Sequence, residues 1–107
     1  MSRPGSGRVT RPGPEARSAL TVPAAVTLLT QSDCVLCDHA KQVLARVNKD
    51  LPLEVTEVDL ATPTGQRLAS ESHVIFAPGV LIDGRPFSFG RLSERRLRRA
   101  LAQRPQG

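Results

Sequence analysis

The chain contains no tryptophan and no tyrosine, a single methionine and three phenylalanines. It therefore has few flat aromatic faces on which nucleic-acid bases could stack, and Phe76, Phe87 and Phe89 all fall inside apolar runs. It has two cysteines in 107 residues, only three positions apart, so no framework of structural disulfides can be drawn. No apolar run reaches the ~18 residues of a membrane span. Arg3 and Arg8 are followed by no apolar core of a secretory signal. These absences leave one soluble-type domain with the cytoplasm as its default compartment, where a cysteine pair is usually catalytic or metal-bound.

The formal charge of +5 is unevenly spread. Arginines crowd the first segment (Arg3, Arg8, Arg11, Arg17) and the last (Arg91, Arg95, Arg96, Arg98, Arg99, Arg104), while residues 22–90 are acidic to neutral. Such a balance suits an acidic partner, but a solvated helix face explains it as well, and the lack of stacking aromatics argues against nucleic acid. Residues 1–21, with Pro4, Pro12, Pro14, Gly5, Gly7 and Gly13, show no apolar period. They read as a disordered, dispensable basic tail, since they bury too little to offset their ordering entropy. The folded domain is expected over residues 22–104.

What the chain does have is Cys34-Val35-Leu36-Cys37 between a β-branched, apolar stretch, Ala24–Thr30, and a segment of helical period. Leu36, Ala40, Val43, Leu44 and Val47 form one stripe at spacing near 3.6. A strand that delivers a cysteine pair to the first turn of a helix is a redox arrangement, because unpaired N–H groups there favour the thiolate. Cys34 is the candidate nucleophile and Cys37 the resolving thiol, buried until the disulfide forms. Asp33 opposes activation by repulsion. Val35 and Leu36 could rim a docking surface, although Leu36 also opens the core stripe.

Leu53–Asp59 alternates as a second strand, which with the first strand and helix makes a parallel βαβ unit. A short helix is expected around Thr64–Ser72, weakened by Gly65. Gly79–Phe89 reads as a hairpin turning at Asp83-Gly84, with Pro86 placing its strand at the sheet edge. Ser93 caps a last helix, stapled by Leu92 and Leu97. The order β-α-β-α-β-β-α gives an α/β four-stranded mixed sheet with helices on both faces.

That order, with this motif, resembles the glutaredoxin-like type of the thioredoxin fold over residues 24–103. Thr30-Gln31-Ser32-Asp33-Cys34-Val35-Leu36-Cys37 stands where glutaredoxins carry Thr-Lys-x-x-Cys-Pro-Tyr-Cys, and Val58-Asp59 closes the second strand as in the family. Ala77-Pro78-Gly79-Val80 is similar to the family's step before the third strand, whose cis-proline presents backbone to the substrate. X–Pro bonds are the eligible sites for that isomer. Closer still is the likeness to small bacterial glutaredoxin-like proteins, through Cys34–Asp38 and Gly90-Arg91-Leu92-Ser93-Glu94. The resemblance implies a disulfide reductase with Cys34 and Cys37 as catalytic residues and Gln31, Ala77, Pro78 and Gly79 against the substrate. Its partners would be a disulfide-containing protein or low-molecular-weight thiol, and a thiol reductant or reductase. It implies no resident cofactor and no metal. Gln31 replaces the family lysine, Val35 and Leu36 replace Pro-Tyr, and the family's Gly-Gly pair is reduced to Gly90, so glutathione is expected to be a poor reductant.

Two other readings use the same residues. Cys34, Cys37, His39 and His73 could compose a metal set, or the cysteines an iron–sulfur site, although the spacing matches no regular finger. On a helix His39 is expected to face solvent, and His73 to be structural. The arginines could instead mark a basic interaction domain, recognisable by steep salt dependence.

Overall fold

Strand patterning and one helical stripe suffice to build most of the domain. The computed structural model describes residues 22–104; the tail expected over residues 1–21 lies outside the described residues. The elements are β1 (Ala24–Thr30), α1 (Val35–Asn48), β2 (Leu53–Asp59), α2 (Pro63–Ser72), β3 (Gly79–Ile82), β4 (Arg85–Phe89) and α3 (Glu94–Gln103). They form one sheet in the order β2-β1-β3-β4. β1 and β2 are parallel, in register from Ala24 with Leu53 to Thr30 with Asp59. Parallel strands need a crossover, and α1 supplies it. β3 runs antiparallel to both β1 and β4.

Successive strand residues face opposite sides of the sheet. On one side Val26, Leu28 and Val80 pack with Ala40, Val43, Leu44 and Val47 of α1 and with Leu92, Leu97 and Leu101 around α3. Leu29 and Leu81, of the other parity, are buried on the opposite side, where Val74, just after α2, lies close to Gly79 and Leu29. Gly65, a weak point for a helix by propensity, is required by close approach: a Cβ there would collide with the backbone carbonyl of Asp59 at the end of β2. Thr62 caps α2 through its hydroxyl, which accepts from the Gly65 N–H at 3.0 Å.

Side chains fix the other junctions. The Asn48 side-chain oxygen accepts from the Leu53 N–H at 2.8 Å, joining the end of α1 to the start of β2. Ser93 accepts from the Arg96 N–H at 3.2 Å as the cap of α3, with Leu92 and Leu97 buried beside it. Glu94 in the first turn of α3 bridges Arg46 of α1 and Arg98, which hold its carboxyl below the ordinary range.

At the β3–β4 turn Asp83 and Gly84 both take positive φ, 51° and 81°, as a two-residue hairpin of this twist demands. The Asp83 carboxylate accepts from the Ala25 N–H at 3.0 Å and from Arg104 Nε at 2.9 Å. The backbone bond to Ala25 is the larger cause, and Arg104 the next, of a pKa held below 3.8. A depressed carboxylate contributes stability above its unfolded pKa, which is lost as pH falls through the folded value. Asp83→Asn keeps a residue tolerant of positive φ and removes the charge together with one of the two acceptor oxygens. It should lower the melting temperature at pH 7 by about 2–5 °C, with the gap from wild type closing well below pH 3.8. A gap that persisted unchanged into acid would show that the charge is not responsible.

Candidate redox site

The C-terminal end of β1 gathers four loops. Thr30 pairs with Asp59, Leu29 with Gly79, and Gly79 with Phe89. The segments that follow or precede these residues, 31–34, 60–62, 76–78 and 90–92, therefore open at one end of the sheet. Ligand sites of open α/β sheets gather at this end.

Gln31, Ser32 and Asp33 are exposed, and Asp33 turns the chain through φ 52° into α1. Cys34 is the N-cap, in extended conformation at φ −115° and ψ 105°. Its carbonyl accepts from the Asp38 N–H at 3.1 Å, and its sulfur accepts from the Cys37 N–H at 3.1 Å. The sulfur thus occupies the place of the oxygen in an ordinary Ser or Asp cap. When the pair is reduced, the same N–H and the helix dipole stabilise a thiolate at Cys34. Here Cys34 and Cys37 are joined as a disulfide, with Cα atoms 5.2 Å apart. Cys34 is half-buried and Cys37 is only 1 % exposed, so Cys37 stays covered even in the disulfide state rather than only before it forms.

Ala77, Pro78 and Gly79 are all buried, and the Ala77–Pro78 peptide is cis. The Pro78 carbonyl accepts from the Gly90 N–H at 2.8 Å. Gly79 has strand partners on both sides, Leu29 and Phe89. The structure brings Ala77–Gly79 to the same end of the sheet as the cysteine loop, with Gln31 leading into that loop.

Sequence reasoning missed an apolar surface here. Val35 is 80 % exposed, Ile75 77 %, Phe76 52 % and Phe89 40 %. Phe76 and Phe89 stand edge to face, ring centres 5.2 Å apart at 88°. Gly90, at φ 82°, leaves room for them: a Cβ there would lie 3.1 Å from the Phe76 ring. The available signal was Ile75-Phe76 immediately before Ala77-Pro78, apolar residues placed ahead of the strand rather than in it. Val35 is a rim residue as one reading expected, whereas Leu36 is half-buried.

The two histidines do not join the cysteines. His39, expected to face solvent, is half-buried, with Nδ1 covered and without a hydrogen-bond partner among the described residues. It follows Cys37 by two positions, on the border between the buried stripe and the exposed face. His73 ends α2 in the left-handed conformation, its N–H donating to Ala69 and Ser70 carbonyls. Among the described residues, no three His, Cys, Asp or Glu side chains converge as a metal donor set.

A four-stranded mixed sheet with this element order and a disulfide at the first turn of α1 defines a thioredoxin-fold dithiol protein. The chain belongs to the glutaredoxin-like domain family (DUF836), whose model matches residues 25–102. Uncharacterized proteins of Mycobacterium tuberculosis and Mycobacterium bovis are 32% identical over 80 residues, covering 73% of this chain and 82% of theirs. Among solved structures, a mutant thioredoxin from Halobacterium salinarum NRC-1 superposes with a TM-score of 0.57 at 20% identity, over 73% of this chain and 71% of that one. Fold, family and the Cys34–Cys37 pair together support a redox role in general terms. No helix among the described residues is long and apolar enough to cross a membrane.

Proposed function

We propose that the protein is a thiol–disulfide oxidoreductase that reduces protein or small-molecule disulfides in the cytoplasm. The observation that carries this reading is the Cys37 N–H aimed at the sulfur of half-buried Cys34, with Cys37 itself covered. In the reduced protein the Cys34 thiolate attacks one sulfur of the substrate disulfide. The substrate's S–S bond breaks, a Cys34–substrate bond forms, and one substrate thiolate leaves. Cys37 then loses its proton and attacks Cys34 Sγ, closing the observed disulfide and expelling the second thiolate. The substrate gains two electrons and, from solvent, two protons; the protein loses the same. Two equivalents of an external thiol, or a reductase, restore the dithiol. The backbone around Ala77 and Pro78 orients the substrate chain, and Gln31 lines its approach.

Charge disfavours glutathione as the electron donor. Glutathione carries two carboxylates, and Gln31 cannot supply the cation that glutaredoxins offer beside the cysteines. A charge-assisted hydrogen bond is worth roughly 1.5–3 kcal/mol, or about ten- to a hundredfold in affinity. Arg91, exposed after Gly90, stands near the start of the last helix and does not replace a charge at position 31. Steady-state reduction of the Cys34–Cys37 disulfide should therefore be slow at low glutathione and faster with a reductase system or another low-molecular-weight thiol. Turnover with glutathione equal to that of an ordinary glutaredoxin would refute this choice of donor. Absence of reduction by any thiol or reductase would refute the function.

A further inference from the structure

Ile75, Phe76 and Phe89 stand in solvent at the redox end of the sheet, 77 %, 52 % and 40 % exposed. They come from two segments, the loop after α2 and the end of β4, and separate contacts hold those segments together. The Phe76 and Phe89 rings meet edge to face, centres 5.2 Å apart. Gly90 donates its N–H to the Pro78 carbonyl at 2.8 Å, and Phe89 is the strand partner of Gly79. Backbone pairing thus places the rings, and Gly90, at φ 82°, has no Cβ to push Phe76 aside. The same pairing reaches the cysteine loop. Gly79 is also the strand partner of Leu29, and β1 runs from Leu29 through Thr30 into the turn that ends at Cys34.

Apolar side chains exposed singly need no explanation, but a contiguous set marks a surface that is covered in use. What covers this one follows from what it lacks. Ile75–Gly79 and Phe89–Gly90 contain no charged side chain and no side-chain hydrogen-bond donor. A small hydrophilic disulfide, held by its charges and polar groups, finds no partner there. An apolar side chain does, and a ring pair already fixed edge to face receives it at little ordering cost. The surface adjoins Pro78, whose backbone orients the substrate chain in the reading above. The side chain that reaches it therefore belongs to a residue beside the reacting cysteine.

We propose that Ile75, Phe76 and Phe89 form an apolar specificity subsite, which selects polypeptide disulfides with a bulky apolar residue next to cysteine over small hydrophilic disulfides. The substrate part of this inference rests on the oxidoreductase reading; the binding part does not. Two acetylated, amidated and uncharged peptides, Leu-Cys-Leu and Ser-Cys-Ser, supply the test as their symmetric disulfides. The leucine disulfide should be reduced with a kcat/KM about tenfold higher, the difference lying in KM. Phe76→Ser, and Ile75→Ser at the most exposed of these positions, should each bring the ratio toward one. A ratio of one in the wild type, or a ratio unchanged in both variants, would overturn the subsite. Binding is read separately with Leu-Ser-Leu, which has no thiol, titrated into the oxidised, ¹⁵N-labelled protein. Saturable amide shifts should appear at Ile75, Phe76, Phe89 and Gly90, and Ser-Ser-Ser should give none. Absence of such shifts would overturn the binding. Shifts there that follow protein concentration without peptide would assign the surface to a second copy of the chain. Binding gained only on removal of residues 1–21 would assign it to the chain's own first segment, and either result overturns the proposal. If neither disulfide is reduced while Leu-Ser-Leu still binds, the oxidoreductase reading falls and the apolar site stands.

Discussion

Cys34→Ser is expected to lower disulfide reduction by about a thousandfold or more, because it removes the attacking sulfur. Cys37→Ser is expected to fail differently. Its Cys34 can still attack, but nothing inside the protein can release the product, so a mixed disulfide through Cys34 should accumulate. The asymmetry comes from the helix start. Cys34 is half-buried and accepts the Cys37 N–H at 3.1 Å, while Cys37 is 1 % exposed and one turn further in. Intact mass spectrometry after incubation with a peptide disulfide distinguishes the two variants. Adducts trapped in Cys34→Ser and none in Cys37→Ser would reverse the roles.

Leu28→Ala should cost about 2–5 kcal/mol, the range for truncating a fully buried leucine. Leu28 is 0% exposed on β1, between α1 and α3. For a domain of this size each kilocalorie shifts the melting temperature by about 4–8 °C. The variant should therefore melt at least ~8 °C lower, or be unfolded at room temperature if the parent is marginal. Val55→Ala, at a site 40% exposed on edge strand β2, provides the contrast and should fall within about ±0.5 kcal/mol. Denaturant unfolding compares them on one scale. Equal losses at the two positions would mean that Leu28 is not packed in the core between α1 and α3.

Much of this framework was legible because local chemistry and tertiary demand agree. The apolar stripe from Ala40 to Val47 needs no context to be recognised as one helix face. Leu53–Asp59 alternates, Asp83-Gly84 permits two positive φ angles in succession, and Ser93 with Leu92 and Leu97 is a complete helix start. The cysteine pair could be placed because β1 and α1 on either side of it were both readable.

The illegible parts depend on distant contacts. Phe76 and Phe89 sit in apolar runs and look like core, yet topology brings them together at a sheet end, where Gly90 leaves room and no element among the described residues covers them. Gly65 looks like a flaw in α2 until the carbonyl of Asp59 is seen against it. His39 lies at the border of its helix's buried face, where periodicity alone does not decide exposure.

The claim on which the account depends is electron exchange between this dithiol and a disulfide. Fully reduced protein, freed of reductant and mixed under argon with one equivalent of a peptide disulfide, gives a direct reading by intact mass. The account requires the protein to lose the mass of two hydrogen atoms, the Cys34–Cys37 bond to appear in the peptide map, and the peptide to gain those hydrogens in equal amount. Protein that keeps both thiols while the peptide disulfide stays intact would contradict it.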